Sequence, residues 1–212
     1  MFQPYLERLI AWSSTPDRQP ELLRAKAEYF ARAGEVFEDD RSFDTRMGAF
    51  LEFYVLDRKL EGTGTTPAEA FLAAGGESFS PEERSAFENL TRTVHGVFEV
   101  RKLTTKTGLR IRELVRGEEY DVFERRGVVG LAKGDLFDAR LVPVDDKLLF
   151  SGVFFYHPRE VRKAIQKELK RRKKAGELPA PGDFAHELAK MALKLERYRN
   201  VAVENIYRFD AA

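Results

Sequence analysis

The chain has 212 residues, of which 43% are apolar and 12% aromatic, enough to bury a real core around a formal net charge of only +1. The absence of cysteine excludes disulfides, thiolate zinc sites and cysteine nucleophiles together, and fits a reducing compartment, with the cytoplasm as the expected location. No basic segment followed by an apolar one opens the sequence, and no apolar run approaches the ~18 residues of a membrane span, so no membrane partner is expected.

The small net charge hides an uneven distribution. Residues 1–100 hold 11 basic and 18 acidic side chains, a net −7, whereas residues 157–174 hold 9 basic and 2 acidic ones, a net +7. An acidic half and one basic segment either attract each other within the molecule or present two faces to different partners.

In chain order, the first third reads as helices. Pro4 suits a first helical position, and Tyr5, Leu6, Leu9 and Ile10 recur at helical spacing. A second helix is predicted from Pro20 to Ala33, with Leu22, Leu23, Ala27 and Phe30 on its apolar face and Gly34 as its stop. A third carries Phe43, Met47, Phe50, Leu51, Tyr54 and Val55, a stripe broad enough to be buried. Two further starts are marked by their caps: Thr66-Pro67-Ala68-Glu69 and Ser80-Pro81-Glu82-Glu83 each place a hydroxyl at N-cap, proline at N1 and glutamate at N3.

From His95 the apolar period changes to two. Strands are predicted at Val97 to Leu103, Leu109 to Leu114, Glu118 to Glu124, Leu136 to Val144 and Lys147 to Tyr156, separated by short turn-prone stretches. Connections this short favour antiparallel pairing, and closure removes exposed edges, so a small antiparallel β-barrel, SH3-like or OB-like, is expected. The fold class predicted is therefore α+β: a helical region (1–94), the barrel (95–157), and a C-terminal part (158–212) of a basic helix, a Pro/Gly linker and a final helix packing back. That final helix is expected to start with Asp183 as N-cap and to run to Phe209. Leu188, Leu195, Ala202 and Phe209 repeat along it at seven-residue intervals, with Phe184, Met191, Tyr198 and Asn205 on the companion positions. This pattern reads either as a face packed on the N-terminal helices or as a homodimer seam formed by Leu188, Met191, Leu195, Tyr198, Ala202 and Phe209.

Several stretches carry a resemblance. Phe53-Tyr54-Val55-Leu56-Asp57-Arg58-Lys59-Leu60, Thr66 to Leu72, Ser80 to Arg84, Gly108 to Leu114, Gly117 to Val122 and Gly134 to Val142 resemble a loosely defined group of uncharacterised bacterial proteins. Some members of that group carry a SecA-type cysteine-rich zinc motif, which a chain without cysteine lacks. The resemblance implies the helical-then-β order and brings no activity.

Catalytic constellations are sparse. His95, His157 and His186 fall at a strand start, a helix cap and a first helical turn, none at the i, i+4 spacing of a helical metal pair, and each reads as structural. The acidic cluster Glu38-Asp39-Asp40 with Asp44 lacks the spacing and glycine of an EF-hand and suits the positive end of the third helix. Gly62 to Pro67 and Gly130 to Asp135 match neither dinucleotide nor Walker phosphate loops and read as turns. No cofactor and no metal site is predicted. The feature above background is the basic helix after Pro158, with Arg159, Arg162, Lys163, Lys167, Lys170, Arg171, Arg172, Lys173 and Lys174 arranged around an apolar stripe of Val161, Ala164, Ile165 and Leu169. Its expected role is to recognise an acidic partner, a protein surface or nucleic acid, in a non-enzymatic adaptor, with Arg110, Arg112 and Arg101 extending the patch onto the barrel. Competing readings are a solvated face, a clamp on the acidic N-terminal helices, an assembly protein built on the C-terminal helix, and an enzyme with its site in a cleft between helices and barrel.

Overall fold

The computed structural model describes residues 2–104, 107–123 and 130–209. Five helices come first: α1 (Gln3–Ser13), α2 (Gln19–Ala33), α3 (Phe43–Glu52), α4 (Pro67–Gly75) and α5 (Pro81–Leu90). Strands β1 (Val94–Leu103), β2 (Gly108–Glu113), β3 (Glu119–Phe123), β4 (Leu136–Val144) and β5 (Lys147–His157) follow, then α6 (Arg162–Ala175), α7 (Pro181–Arg197) and the short α8 (Val203–Ile206). Glu124, placed in the third strand by its sequence, lies outside the described residues.

Both capping boxes form. Thr66 and Ser80 each accept the backbone N–H three residues on at 3.2 Å, while Glu69 and Glu83 return to the cap N–H at 2.7 and 2.8 Å. The face that α2 buries differs from the expected one. Ala25, Tyr29 and Ala33 are inside, with Leu22 and Phe30 at the edge, whereas Leu23 and Ala27 face out. The aromatic ring decides this: Tyr29 sits within 5.1 to 6.0 Å of Phe30, Phe50, Phe53 and His186, a contact set that two leucines could not supply. The third helix continues into a π-helical turn over Phe53–Asp57, closed by Arg58 N–H donating to the Phe53 carbonyl at 2.9 Å. The wider turn keeps Phe53 to Leu56 all buried and delivers Asp57 to the barrel.

The strands close in the order β1-β2-β3-β5-β4. Four pairings are antiparallel, but β3 and β5 meet in parallel at Val122 and Leu148, so the barrel is mixed rather than wholly antiparallel. This is the OB-like of the two expected closures: β5 returns beside β3 only after β4 has crossed back to β1. Phe98, Val100, Leu109, Ile111, Phe137, Ala139 and Leu141 fill the interior.

Two further cores lie on the outside of the barrel. Helices α1 to α5 pack on Val142 and Phe155, and Ala189 of α7 joins them. Val161, just before α6, and Ile165 and Leu169 of α6 pack with Phe184, Ala185 and Leu188 of α7 over Val97 and Leu136. The C-terminal helix is shorter than expected. Its N-cap is Ala180 with Pro181 at N1, Asp183 lies inside the first turn, and the helix stops at Arg197. The heptad therefore crosses a break: Leu188 and Met191 are buried in their own chain, Leu195 is partly covered, Tyr198 and Ala202 lie exposed past the helix end, and Phe209 stacks on Phe184 at 6.1 Å. These residues share no continuous outward seam. Among the described residues no helix is long and apolar enough to cross a membrane.

Each cap satisfies backbone donors that water would otherwise have to reach, so Ser80→Ala and Thr66→Ala are expected to lower unfolding free energy by ~1 kcal/mol each in urea titrations, without changing the slope.

Candidate functional site

The basic helix docks as its apolar stripe requires, and its cations then divide by type. The arginines are neutralised locally. Arg159 pairs with Asp135 at 2.5 Å, Arg162 with the buried Glu99 at 2.5 Å, Arg171 with Glu168 at 2.8 Å, and Arg172 with both Glu168 and Glu187 at 2.7 and 2.8 Å. Glu168, held by two guanidinium groups, has its carboxyl lowered to about 2. Lys163, Lys167, Lys170, Lys173 and Lys174 are exposed, with no carboxylate partner among the described residues.

The acidic N-terminal cluster is not their counterpart. Asp40 accepts Arg197 of α7 at 2.5 Å and the Phe37 N–H at 2.8 Å, which lowers its carboxyl to about 2, so the cation that clamps this cluster comes from the last turn of α7. Nor does the basic patch spread over the barrel. Arg110 makes a two-pronged pair with Asp121 at 2.7 and 2.9 Å, Arg101 lies between Glu99 and Glu119, and Arg112 is exposed among the carboxylates of the β2–β3 face. That face is charge-balanced.

A second polar assembly, missed by the sequence reading, lies where the helices cover the barrel. Alternation along β4 puts Asp138 and Arg140 on its outer face, and pairing with β1 sets His95 opposite Arg140. Arg140 is 2% exposed; it forks onto Asp57, reaches Glu52 at 3.2 Å, and donates to Thr93 at 2.9 Å. The two carboxylates respond differently. The fork holds Asp57 below the usual carboxylate range against its desolvation, whereas Glu52, buried more deeply, is pushed up by desolvation that Arg140 and Ser151 only partly offset. His95 Nε2 lies 2.8 Å from Asp138 Oδ1, and its Nδ1 is 3.8 Å from Asp57. Burial disfavours the imidazolium, but Asp138 and Asp57 outweigh it and raise the ring. Asp138 is correspondingly lowered by His95.

His186 and His157 behave oppositely. His186, in the second turn of α7 and 4% exposed, meets Tyr29 and Phe53 edge to face at 5.2 and 5.3 Å and His95 at a tilt at 5.4 Å, and neither ring nitrogen has a hydrogen-bond partner among the described residues. His157 makes one bond, from Nδ1 to the Tyr207 hydroxyl at 2.9 Å. Burial lowers both rings to about 4, so each is neutral at pH 7.

Above this layer opens a cleft of about 440 Å³ between α2, the π-helical turn, the start of β1 and the N-terminus of α7. Phe53 and His186 form its apolar floor, and Asp57, His95, Gly182 and Lys59 contribute its polar wall. This is the concave polar pocket between helices and barrel that an enzyme or ligand site would need. Among the described residues, no three His, Asp or Glu side chains converge as a metal site.

Comparison with known families finds a match over residues 23–180 to a family described as a family of unknown function, DUF7986; the chain belongs to that family. No curated protein and no solved structure matches. The matched span contains Asp57, His95, Asp138 and Arg140 and ends just before α7, so Gly182 and His186 lie beyond it.

Arg140→Leu leaves the buried Glu52 and the partly exposed Asp57 without their cation and is expected to cost ~3 kcal/mol in urea unfolding, against less than ~0.5 kcal/mol for Lys167→Ala on the surface. The histidines also predict an acid limb. His157 and His186 stay neutral in the folded chain down to about pH 4, while in the unfolded chain they bind protons below about 6.5. The unfolded state therefore binds more protons in that window, and stability falls as pH drops from 6.5 towards 4, by up to ~3 kcal/mol per group. His95, raised, acts with the opposite sign, its contribution being lost above pH 6.5. Denaturation at stepped pH checks this: His157→Phe and His186→Phe should each flatten the decline below pH 6.5.

Proposed function

We propose that this protein is a non-enzymatic binding protein that docks an acidic partner along the lysine face of α6. The observation that supports this reading is the separation of paired from unpaired cations on one helix. Lys163, Lys167, Lys170 and Lys174 fall at intervals of four, three and four, and so form one stripe about 16 Å long at 1.5 Å per residue. Lys173 flanks them. All five are solvent-exposed, while the arginines beside them are tied to Glu168, Glu187, Glu99 and Asp135.

An acidic protein segment is the form of partner this surface favours over nucleic acid. The stripe is short, and the OB-like β2–β3 face, which in barrels of this kind contacts nucleic-acid strands, matches Arg110 and Arg112 with Asp121 and Glu119 and so offers phosphates no net positive charge. Charge recognition of this sort rests on exposed ion pairs worth ~0.3–1 kcal/mol each, so four of them together amount to roughly tenfold or more in affinity.

The test is charge reversal at Lys163, Lys167, Lys170 and Lys174 to glutamate, measured by titration against a poly-glutamate peptide and, in parallel, random-sequence DNA. The wild type is expected to bind the peptide with an affinity that falls as salt rises, and the variant to lose at least about tenfold. Unchanged peptide binding in the variant would remove the proposal, and tighter retention on DNA than on peptide at moderate salt would replace the acidic segment by nucleic acid.

A further inference from the structure

The cleft has a feature that the α6 reading does not use. Helix α7 begins at its rim without a side-chain cap, because Ala180 occupies the N-cap and offers no oxygen. Pro181 has no N–H, and the N–H groups of Gly182 and Asp183 make no hydrogen bond within the described chain, so the positive end of a 17-residue helix stands open at the cleft. One turn deeper, His186 lines the same cleft while 4% exposed, and among the described residues neither of its ring nitrogens, nor Nδ1 of His95 beside it, has a hydrogen-bond partner. Buried polar groups left without partners are costly, and two histidines sharing that condition around one cavity call for a ligand that supplies the missing bonds.

The local charge favours an anion. The carboxylates that line the cleft are all engaged: Glu28 and Asp183 with Arg32 at 2.8 and 3.0 Å, and Asp57 with Arg140. Lys59, at the cleft, has no carboxylate partner among the described residues, and the environment of His95 favours its imidazolium form. Gly182 contributes by lacking a side chain, since a Cβ there would come within 3.3 Å of His95 Nδ1 and crowd the space between helix start and ring.

We propose that this cleft binds a small oxyanion, the phosphate or carboxylate group of a small molecule, on the open N–H groups of Gly182 and Asp183, with His186, His95 and Lys59 completing its coordination. The helix dipole and backbone donors supply the pull on the charge. The histidines supply directional hydrogen bonds from a floor that excludes water, and the π-helical turn under Asp57 holds the opposite wall. This site is separate from the lysine face of α6 and does not depend on it.

The experiment is a titration of the full chain with inorganic phosphate and, separately, acetate, each against sodium chloride at equal ionic strength. It is read by the ring ¹⁵N resonances of His95 and His186 and by the thermal midpoint. Saturable shifts of both rings are expected with at least one of the two anions, and the one that binds tells a phosphoryl from a carboxylate ligand. His186→Phe, which keeps a planar aromatic ring but removes both nitrogens, is expected to weaken binding about tenfold, and the exposed Lys59→Gln, which leaves the core intact, about threefold. The quadruple lysine reversal on α6 should leave this binding unchanged, separating the two sites. Ring resonances that move no further with phosphate or acetate than with chloride, or an affinity untouched in both His186→Phe and Lys59→Gln, would overturn the proposal.

Discussion

One guanidinium group joins the two halves of this molecule. Arg140 rises from the outer face of β4 and is met by Asp57 at the end of the π-helical turn and by Glu52 one turn earlier, with Thr93 accepting a further N–H. Without it, Glu52 would be a lone carboxylate in the protein interior and the partly exposed Asp57 would lose its hold on the barrel. With it, the third helix can cross the barrel at a fixed height, and the cleft beside it acquires a wall. The pairing is not bought for stability alone, since an apolar replacement of all three groups could pack equally well; it fixes which turn of α3 meets which residue of β4.

Charge is sorted by side-chain chemistry as well as by sign. The arginines, whose planar forks match carboxylates, take the buried and half-buried partners: Arg140 on Asp57, Arg172 on Glu168 and Glu187, Arg197 on Asp40. The lysines of α6 remain as hydrated point charges on a solvent face. The attraction between the acidic N-terminal half and C-terminal cations is thus met away from the densest basic run, where Arg197 of α7 holds Asp40.

The two candidate sites follow from how α7 lies. Its buried side holds Phe184 and Leu188 against Val97 and, through Phe184, meets the stack of Phe209; its first turn ends at His95, where Gly182 lets the backbone come close. The same helix therefore seats α6 on one side, leaving the lysine stripe outward, and opens its N-terminus into the cleft on the other.

The amino-acid pattern alone determined the local elements whose causes are local. Thr66 and Ser80 with their glutamates specify helix starts within four residues; Gly34 and Gly176, at positive φ, end α2 and α6; period-two alternation from His95 on marks five strands. The apolar stripe of α6 was legible for the same reason. Tertiary structure decided what depends on partners far apart in the chain: the parallel meeting of β3 and β5, the face of α2 chosen by Tyr29, the stop of α7 at Arg197, and the burial of Asp138 and Arg140. A polar residue alternating with apolar ones along a strand reads as solvent-facing. The one hint otherwise was Leu136 and Val142 on the same outer face of β4, which only a covering layer could bury. The cleft was beyond sequence for the same physical reason, because His95, Asp57 and the pair Gly182 and His186 come from three separate elements and acquire their shared environment, unpaired nitrogens and opposed proton affinities only when those elements pack together.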